Sequence, residues 1–393
     1  MSILSIKELP IAGKKVFIRV DFNVPLKDSK VTDSTRIDAA LPTIRFALEK
    51  GAKVILASHL GRPKGKPDPK YSMEPVGAVL AEKLGMDIIL ADAPVGDGPF
   101  KLANELKDGQ VLLLENLRWH PGEEGNDESF SKALASMADV YVNDAFGTAH
   151  RAHASTAGMI PHVEEAGAGF LMEKEVKFFE KLLSAPEKPF VAILGGAKVS
   201  DKVGVIKNLM NLVDKILIGG AMANTFLAAQ GHHLGNSKIE EDKLNLCREL
   251  IDGAKARNIE LILPVDLKYA NSLDATETTT VAVIKGVPSD QMALDIGPES
   301  AKIFAKALSD AQTIFWNGPM GVFENPVLAE GTMAVAKAVA DNKGITVIGG
   351  GDSVAAINKA GLSDKISHIS TGGGASLEMM EGISLPGLVA LAR

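Results

Sequence analysis

Glycine clusters follow short apolar runs repeatedly in the second half of this chain: Gly195-Gly196, Gly219-Gly220, Gly318 with Gly321, Gly349-Gly350-Gly351 and Gly372-Gly373-Gly374. Glycine costs backbone entropy, so such clusters need a purpose, and close approach of main chain to a ligand is one. Where a helix follows, free N–H groups and the positive end of the dipole suit an anion, most simply a phosphate. For any single cluster a plain turn is the competing reading. Lys198 and Lys202 follow the first cluster, four residues apart. On a helix they would share one face, and two like charges there cost stability unless an anion sits between them. The spacing is not that of a Walker loop, and no dinucleotide fingerprint joins a strand to a helix. Asp352 follows a glycine triplet. A carboxylate at a polyphosphate site is the usual protein ligand for Mg2+, with helix capping as its plainer use. Glu324, after Asn317-Gly318-Pro319-Met320-Gly321, could hydrogen-bond ribose hydroxyls.

The first half carries a different set. Asp21 and Asn23 alternate just past an apolar run and could bind hydroxyls from one side of a sheet rim, although Asp-Phe-Asn is also a turn signal. Arg36 opens a helical pattern. His59 and Arg62, then Arg118, then Arg151, come just after three of the apolar runs. One such arginine is usually a solvated surface residue. Several at equivalent positions would gather in one crevice, where guanidinium forks match carboxylate and phosphate oxygens. No histidine pair has ligand spacing with a third partner, so zinc is not expected.

These residues need scaffolding. Apolar, β-branched runs recur at 15–20, 53–58, 87–90, 110–115 and 140–143, then at 190–194, 215–218, 259–265, 313–316, 345–348 and 366–370. Several are continuous rather than alternating, as in strands covered on both faces. Helical patterns such as 36–50, 72–84, 129–137 and 332–342 lie between them. Alternation of this kind predicts parallel sheets with right-handed crossovers, and two series predict two doubly wound domains. In such sheets ligands bind beyond the carboxyl ends of strands, where the residues above fall. Residues 171–183 show an apolar stripe, Met172, Val176, Phe179 and Leu183, opposite charged positions. They form either a helix joining the domains or an ordinary crossover helix.

Composition sets the outer bounds. A length of 393 residues suits two domains. A net charge of −7 argues against non-specific nucleic-acid binding. Cys247 is the single cysteine, which rules out an internal disulfide and fits a reducing compartment. Residues 1–10 show no signal-peptide pattern, and no apolar run approaches the roughly 20 residues a membrane span needs.

Taken together, the segments RVDFNVP (19–25), SHLGRP (58–63), ENLRWHPGEE (115–124), DAFGTAHRAHAST (144–156), LGGAKVSDK (194–202), GGAMANTF (219–226), FWNGPMGVFE (315–324), GGGDS (349–353) and STGGGASLE (370–378) closely resemble phosphoglycerate kinase, in family order across nearly the whole chain. Trp119 stands where Phe is common and Ser353 where Thr is also common.

The resemblance implies two Rossmann-like domains joined by an interdomain helix and hinge: an acid-binding domain over 1–170 plus 383–393, a joining helix over 171–186, and a Mg-nucleotide domain over 187–382. It implies reversible phosphoryl transfer from 1,3-bisphosphoglycerate to ADP, giving 3-phosphoglycerate and ATP. Asp21, Phe22, Asn23, Arg36, His59, Leu60, Gly61, Arg62, Arg118 and Arg151 would bind the acid. Gly196, Lys198, Lys202, Gly219, Gly220, Asn317, Glu324, Gly350, Gly351, Asp352 and Ser353 would bind the nucleotide, with Mg2+ on Asp352. Arg36, Lys198, Gly350 and Gly373 would act on the transferring group. The same resemblance implies a monomer, and the composition points to a cytoplasmic protein without nucleic-acid or membrane partners. A hinge-type binding protein would show the same outline but would not need lysines beside a glycine loop, and a nicotinamide dehydrogenase would need the missing fingerprint.

Overall fold

The computed structural model describes residues 3–392. The chain divides into two compact units, Met1–Lys177 with Ser384–Arg393, and Phe178–Ile383.

The first unit is built on β1 (Lys15–Arg19), the small hairpin β2 (Leu26–Lys27) and β3 (Lys30–Val31), then β4 (Lys53–Ala57), β5 (Ile88–Leu90), β6 (Val111–Leu113), β7 (Val140–Asn143) and β8 (Glu165–Ala168). Six of these form one parallel sheet in the order β5-β6-β4-β1-β7-β8. The chain leaves β1 toward β4 and later returns to its other side as β7, so the topological switch lies between β1 and β7. Helices α1 (Thr35–Glu49), α2 (Glu74–Leu84), α3 (Asp97–Glu105), α4 (Pro121–Glu124) and α5 (Glu128–Ala135) supply the crossovers. The continuous apolar runs are buried as parallel strands require: Val16, Ile18, Val54 and Leu56 meet Ile37, Ile44 and Leu80 of the helices in one core. Near the C-terminus, the short helix Pro386–Val389 is tied to this unit by the Gly387 N–H donating to the Ala149 carbonyl at 2.8 Å.

Helix α6 (Phe170–Ser184) carries the chain across the boundary between units. The second unit then repeats the plan. Its parallel sheet runs β11 (Glu260–Ile262), β10 (Lys215–Ile218), β9 (Phe190–Leu194), β15 (Thr313–Asn317), β16 (Ile345–Gly349) and β17 (His368–Ile369), with the switch between β9 and β15. The helices are α7 (Val203–Leu209), α8 (Gly220–Ala229), α9 (Leu244–Ala256), α10 (Pro298–Leu308), α11 (Glu330–Asp341), α12 (Gly351–Lys359) and α13 (Gly373–Met380). Cys247 lies buried in α9. An antiparallel sheet of β12 (Asp266–Ala270), β13 (Thr279–Ala282) and β14 (Met292–Ile296) is added to this unit. Two doubly wound parallel sheets, one per unit, are therefore present, as the strand–helix alternation predicts.

Candidate functional site

In the first unit, β1 ends at Arg19, and the chain runs straight on through Val20 to Asp21. Arg36 stands one residue into α1, whose start is held by Asp33 accepting from the Thr35 N–H at 2.8 Å and its hydroxyl at 2.6 Å. From there the Arg36 guanidinium reaches back to the rim. Its Nη1 donates to Asp21 Oδ1 and Oδ2 at 3.1 and 3.0 Å and to the Asn23 carbonyl at 3.2 Å. Among the described residues, Nε and Nη2 make no hydrogen bond. Asn23 Oδ1 accepts from the Gly61 N–H at 2.9 Å, which fixes the loop after β4 against the loop after β1. Phe22 is fully buried, and its N–H donates to Ser58 Oγ at 2.8 Å.

Arg118 is delivered by the loop after β6. Glu115 there accepts from the Ser72 hydroxyl and from the Met73 and Asn116 N–H groups, while Asn116 exchanges hydrogen bonds with both main-chain groups of Leu60. Arg118 is buried, donates to the Gly61 carbonyl at 2.9 Å and faces Glu124 at 3.3 Å. Gly61 has φ +60°, and a Cβ there would lie 2.3 Å from the Tyr71 ring. Arg151 is half-buried beside His150, at 3.3 Å, and Arg62 is exposed.

Beneath this rim lies a charged network that sequence reasoning missed. Arg19, fully buried, donates through Nε to Ser155 Oγ at 2.8 Å and through Nη1 to the Val20 carbonyl, and its Nη2 lies 3.1 Å from His59 Nδ1. Glu123, also fully buried, accepts from the Ser155 N–H and hydroxyl at 3.0 and 2.5 Å. Ser155 sits in a single π-type turn, Ala154–Gly158. Burial pushes the Glu123 carboxyl up, opposed by Arg19 and by the Ser155 bonds. Burial, followed by the charges of Arg118 and Arg19, pulls His153 down to about 4. The signal in the sequence was weak: one arginine ending an apolar strand, and one of two adjacent glutamates.

Arg19 also defines the state of His59. A guanidinium only donates, so Nδ1 must accept and Nε2 must carry the proton. Burial, reinforced by Arg19, Arg118 and Arg36, holds the ring well below its ordinary range. His59 is thus a neutral N–H donor in a cationic rim. In the folded protein its imidazole nitrogens are expected to keep the neutral Nε2–H pattern in nitrogen-15 NMR from pH 5 to 8. A shift toward imidazolium across that range would contradict this assignment.

In the second unit the glycines separate into two kinds. At the switch point the chain packs backbone on backbone. The Gly195 and Gly196 N–H groups donate to the Asn317 and Pro319 carbonyls at 3.0 and 3.1 Å, and Gly220 donates to Met320 at 2.9 Å. A Cβ on Gly195 would lie 2.1 Å from the Pro319 carbonyl oxygen, on Gly219 2.3 Å from Met320 Sδ, and on Gly220 2.6 Å from the Gly196 nitrogen. These glycines lock three strand ends together, those of β9, β10 and β15. Gly196 and Gly351 instead face open space, and Gly373 makes only ordinary contacts with the Gly350 and Gly351 backbone. Helix α12 starts at Gly351 and α13 at Gly373 itself, inside its glycine triplet rather than after it. Two helix N-termini thus begin close together with little side-chain cover.

The two lysines do not share a helical face. Helix α7 begins at Val203, so Lys198 stands exposed in the loop after β9, while Lys202 is buried just before the helix. Gly195 and Gly196 are held against the end of β15 and the residues after it, and a loop and turn over 197–202 precede the helix. Lys202 Nζ donates to both Asn317 Oδ1 and the Asn317 carbonyl. Burial pulls its ammonium down to about 8, against the carboxylates of Asp201 and Asp352. Ser353, fully buried, accepts from the Gly318 N–H at 2.5 Å. Asp352 is exposed at the start of α12, and the Glu324 side chain is exposed.

Among the described residues no group of three or more His, Cys, Asp or Glu side chains could hold a metal ion. Asp352 alone, beside two bare helix N-termini, fits an ion whose other ligands are phosphate and water oxygens. Among the same residues, no helix is long and apolar enough to cross a membrane.

The sequence matches the family described as "Phosphoglycerate kinase" over residues 6–383. It is 57% identical over 393 residues to a phosphoglycerate kinase of Anaeromyxobacter dehalogenans, covering 99% of both chains. It is 55% identical to one of Moorella thermoacetica, covering 100% of this chain and 99% of the relative. Among solved structures, the phosphoglycerate kinase of Coxiella burnetii superposes with a TM-score of 0.91 at 40% identity, with 99% of each chain covered. That of Pyrococcus horikoshii gives 0.86 at 36% identity, with 99% of this chain and 98% of that one covered.

Proposed function

The chain belongs to the phosphoglycerate kinase family and is an enzyme of that family; from that premise we propose that it transfers the acyl phosphate of 1,3-bisphosphoglycerate to ADP, reversibly, as a step of glycolysis and gluconeogenesis. The observation that carries this reading is the pairing of chemistries. The first sheet ends in arginines and a neutral imidazole donor, suited to a small carboxylate and phosphate. The second ends in a buried lysine, bare helix N-termini and one carboxylate, suited to a Mg-nucleotide.

On this reading residues 1–170 with 383–393 hold the acid through Asp21, Phe22, Asn23, Arg36, His59, Leu60, Gly61, Arg62, Arg118 and Arg151. Residues 187–382 hold the nucleotide through Gly196, Lys198, Lys202, Gly219, Gly220, Asn317, Glu324 and Gly350–Ser353. Within the proposal, Gly219 and Gly220 contribute by shaping the loops, whereas Gly351, together with Gly373 of the neighbouring helix start, leaves room for phosphate oxygens.

In the ATP-forming direction the bond between phosphorus and the acyl oxygen breaks, and a β-phosphate oxygen of ADP forms the new one. The leaving group departs as a carboxylate, so no general base is required. Catalysis is then positioning plus stabilisation of charge on the transferring group. Arg36, with Nε and Nη2 free, contacts the acyl-phosphate end. Lys198 follows the transferring oxygens, Lys202 holds nucleotide phosphates, and main-chain amides near Gly350 and Gly373 complete the cradle. Asp352 would hold Mg2+, which when bound would supply neutralisation of phosphate charge. Ligands on separate domains must meet, so we include hinge closure about the 171–186 helix, which excludes water from the acyl phosphate. A cytoplasmic monomer acting on small molecules completes the reading.

The test is ADP release from ATP in an assay that consumes the acyl-phosphate product and so pulls the uphill direction. Release that needs both 3-phosphoglycerate and Mg2+ supports the proposal. Release independent of the acid would contradict it.

A further inference from the structure

Lys198 sits at the tip of an exposed loop, a poor place from which to follow a transferring group unless its backbone is fixed. The loop is tied at its start by the Gly195 and Gly196 bonds to β15. Among the described residues, the main-chain groups of Ala197 and Lys198 make no hydrogen bond, and both residues are exposed. Just beyond them the loop is tied again. Glu240 Oε2 accepts from the Val199 N–H at 2.5 Å and the Ser200 N–H at 3.2 Å, and Glu240 Oε1 accepts from the Ser200 hydroxyl at 2.5 Å. Two successive amides and a hydroxyl converging on one carboxylate form an anion nest with the anion already built in. Glu240 is itself anchored: its N–H donates to Thr225 Oγ1 at 3.2 Å, and Thr225 is buried in α8. Helix α8 begins at Gly220, whose own N–H is bound to the same turn after β15 that receives Gly196.

We propose that Glu240 is a positioning residue for Lys198, clamping the C-terminal side of the loop so that the ammonium is presented in one place. Val199 contributes a buried side chain, but a valine fixes depth rather than direction, whereas three aligned hydrogen bonds fix both. Glu240 lies 42 residues beyond Lys198 in the chain, touches no group assigned to a ligand, and acts only through the loop. The inference rests on the role given to Lys198 above.

The experiment is a double-mutant cycle on the full chain, read as kcat and KM for ATP. Glu240→Ala is expected to lower kcat about tenfold or more, because small misplacements of a reacting group cost that much. KM should move far less, since nucleotide phosphates are held by Lys202 and the helix N-termini. Glu240→Gln keeps one acceptor oxygen and should fall between the alanine variant and the parent. In a Lys198→Ala background, Glu240→Ala should cost less than about twofold more, because coupled residues are non-additive. Circular dichroism melts keep the comparison among folded proteins. Equal fold losses in both backgrounds would overturn the proposal alone, since Glu240 would then act on the fold or on another group. Near-parental turnover of Lys198→Ala by itself would overturn the reading of Lys198, and this proposal with it.

Discussion

Arg36→Ala is expected to lower kcat by about 10^3-fold or more, the scale on which a single guanidinium acts in phosphoryl transfer. The fold should persist. Arg36 is half-exposed, and the carboxylate it leaves behind keeps one donor, the Asn23 N–H at 3.1 Å from Asp21 Oδ1. The geometry makes a further distinction. One nitrogen, Nη1, serves both Asp21 oxygens and the Asn23 carbonyl, so anchoring and ligand contact fall on different parts of one planar group. Lysine cannot divide its work in that way, because its ammonium is a single point. Arg36→Lys should therefore recover only a small part of the rate. Steady-state kinetics on folded variants checks both, and near-normal turnover of Arg36→Ala would remove this residue from the mechanism.

The second large effect is on stability. Gly318 has φ +102°, and a Cβ there would lie 2.2 Å from the Gly195 carbonyl oxygen and 2.4 Å from its carbon. Both obstacles are backbone, at the point where the ends of β9 and β15 are bound together, so neither can swing aside. Left-handed strain and a backbone clash together put the cost of Gly318→Ala at about 4 kcal/mol or more. Gly351→Ala is the control. It has open space around the Cβ position and lies in the first turn of α12, where alanine is the better helix former. Urea melts should show a large loss for the first and little change for the second. Equal midpoints would mean that the two kinds of glycine are not distinct.

Much of the fold was legible because parallel strands buried on both faces are uninterrupted apolar runs. Lys15–Arg19, Lys53–Ala57, Phe190–Leu194 and Thr313–Asn317 all read this way. β8 was not legible. Its sequence, Glu-Ala-Gly-Ala, has no β-branched residue; it is held by parallel pairing with β7 on one side and by the N-terminal segment on the other, where the Ala168 N–H donates to the Leu4 carbonyl at 2.8 Å. The antiparallel sheet β12–β14 was missed for a related reason: β13 is largely exposed and β14 carries Asp295, so neither has the continuous apolar signature.

The site was legible in its residue types and less so in its geometry. Asp21, Asn23, Arg36, Gly61 and Arg118 are joined by direct hydrogen bonds, and their common place past strand ends is what brought them together in the sequence. Arg19 and Glu123 escaped notice because a buried ion is justified only by its partners, and those lie in distant segments. The four-residue spacing of Lys198 and Lys202 suggested one helical face. Backbone packing of Gly195 and Gly196, invisible to periodicity, put one lysine in a loop and the other beneath it.

The central claim, that the two sheets hold opposite halves of one reaction, is tested most directly by backbone amide NMR of the full chain titrated with each substrate alone. 3-Phosphoglycerate is expected to shift amides near Asn23, Gly61 and Arg118, and Mg-ADP those near Gly196, Gly351 and Gly373. Both ligands perturbing the same unit would contradict it.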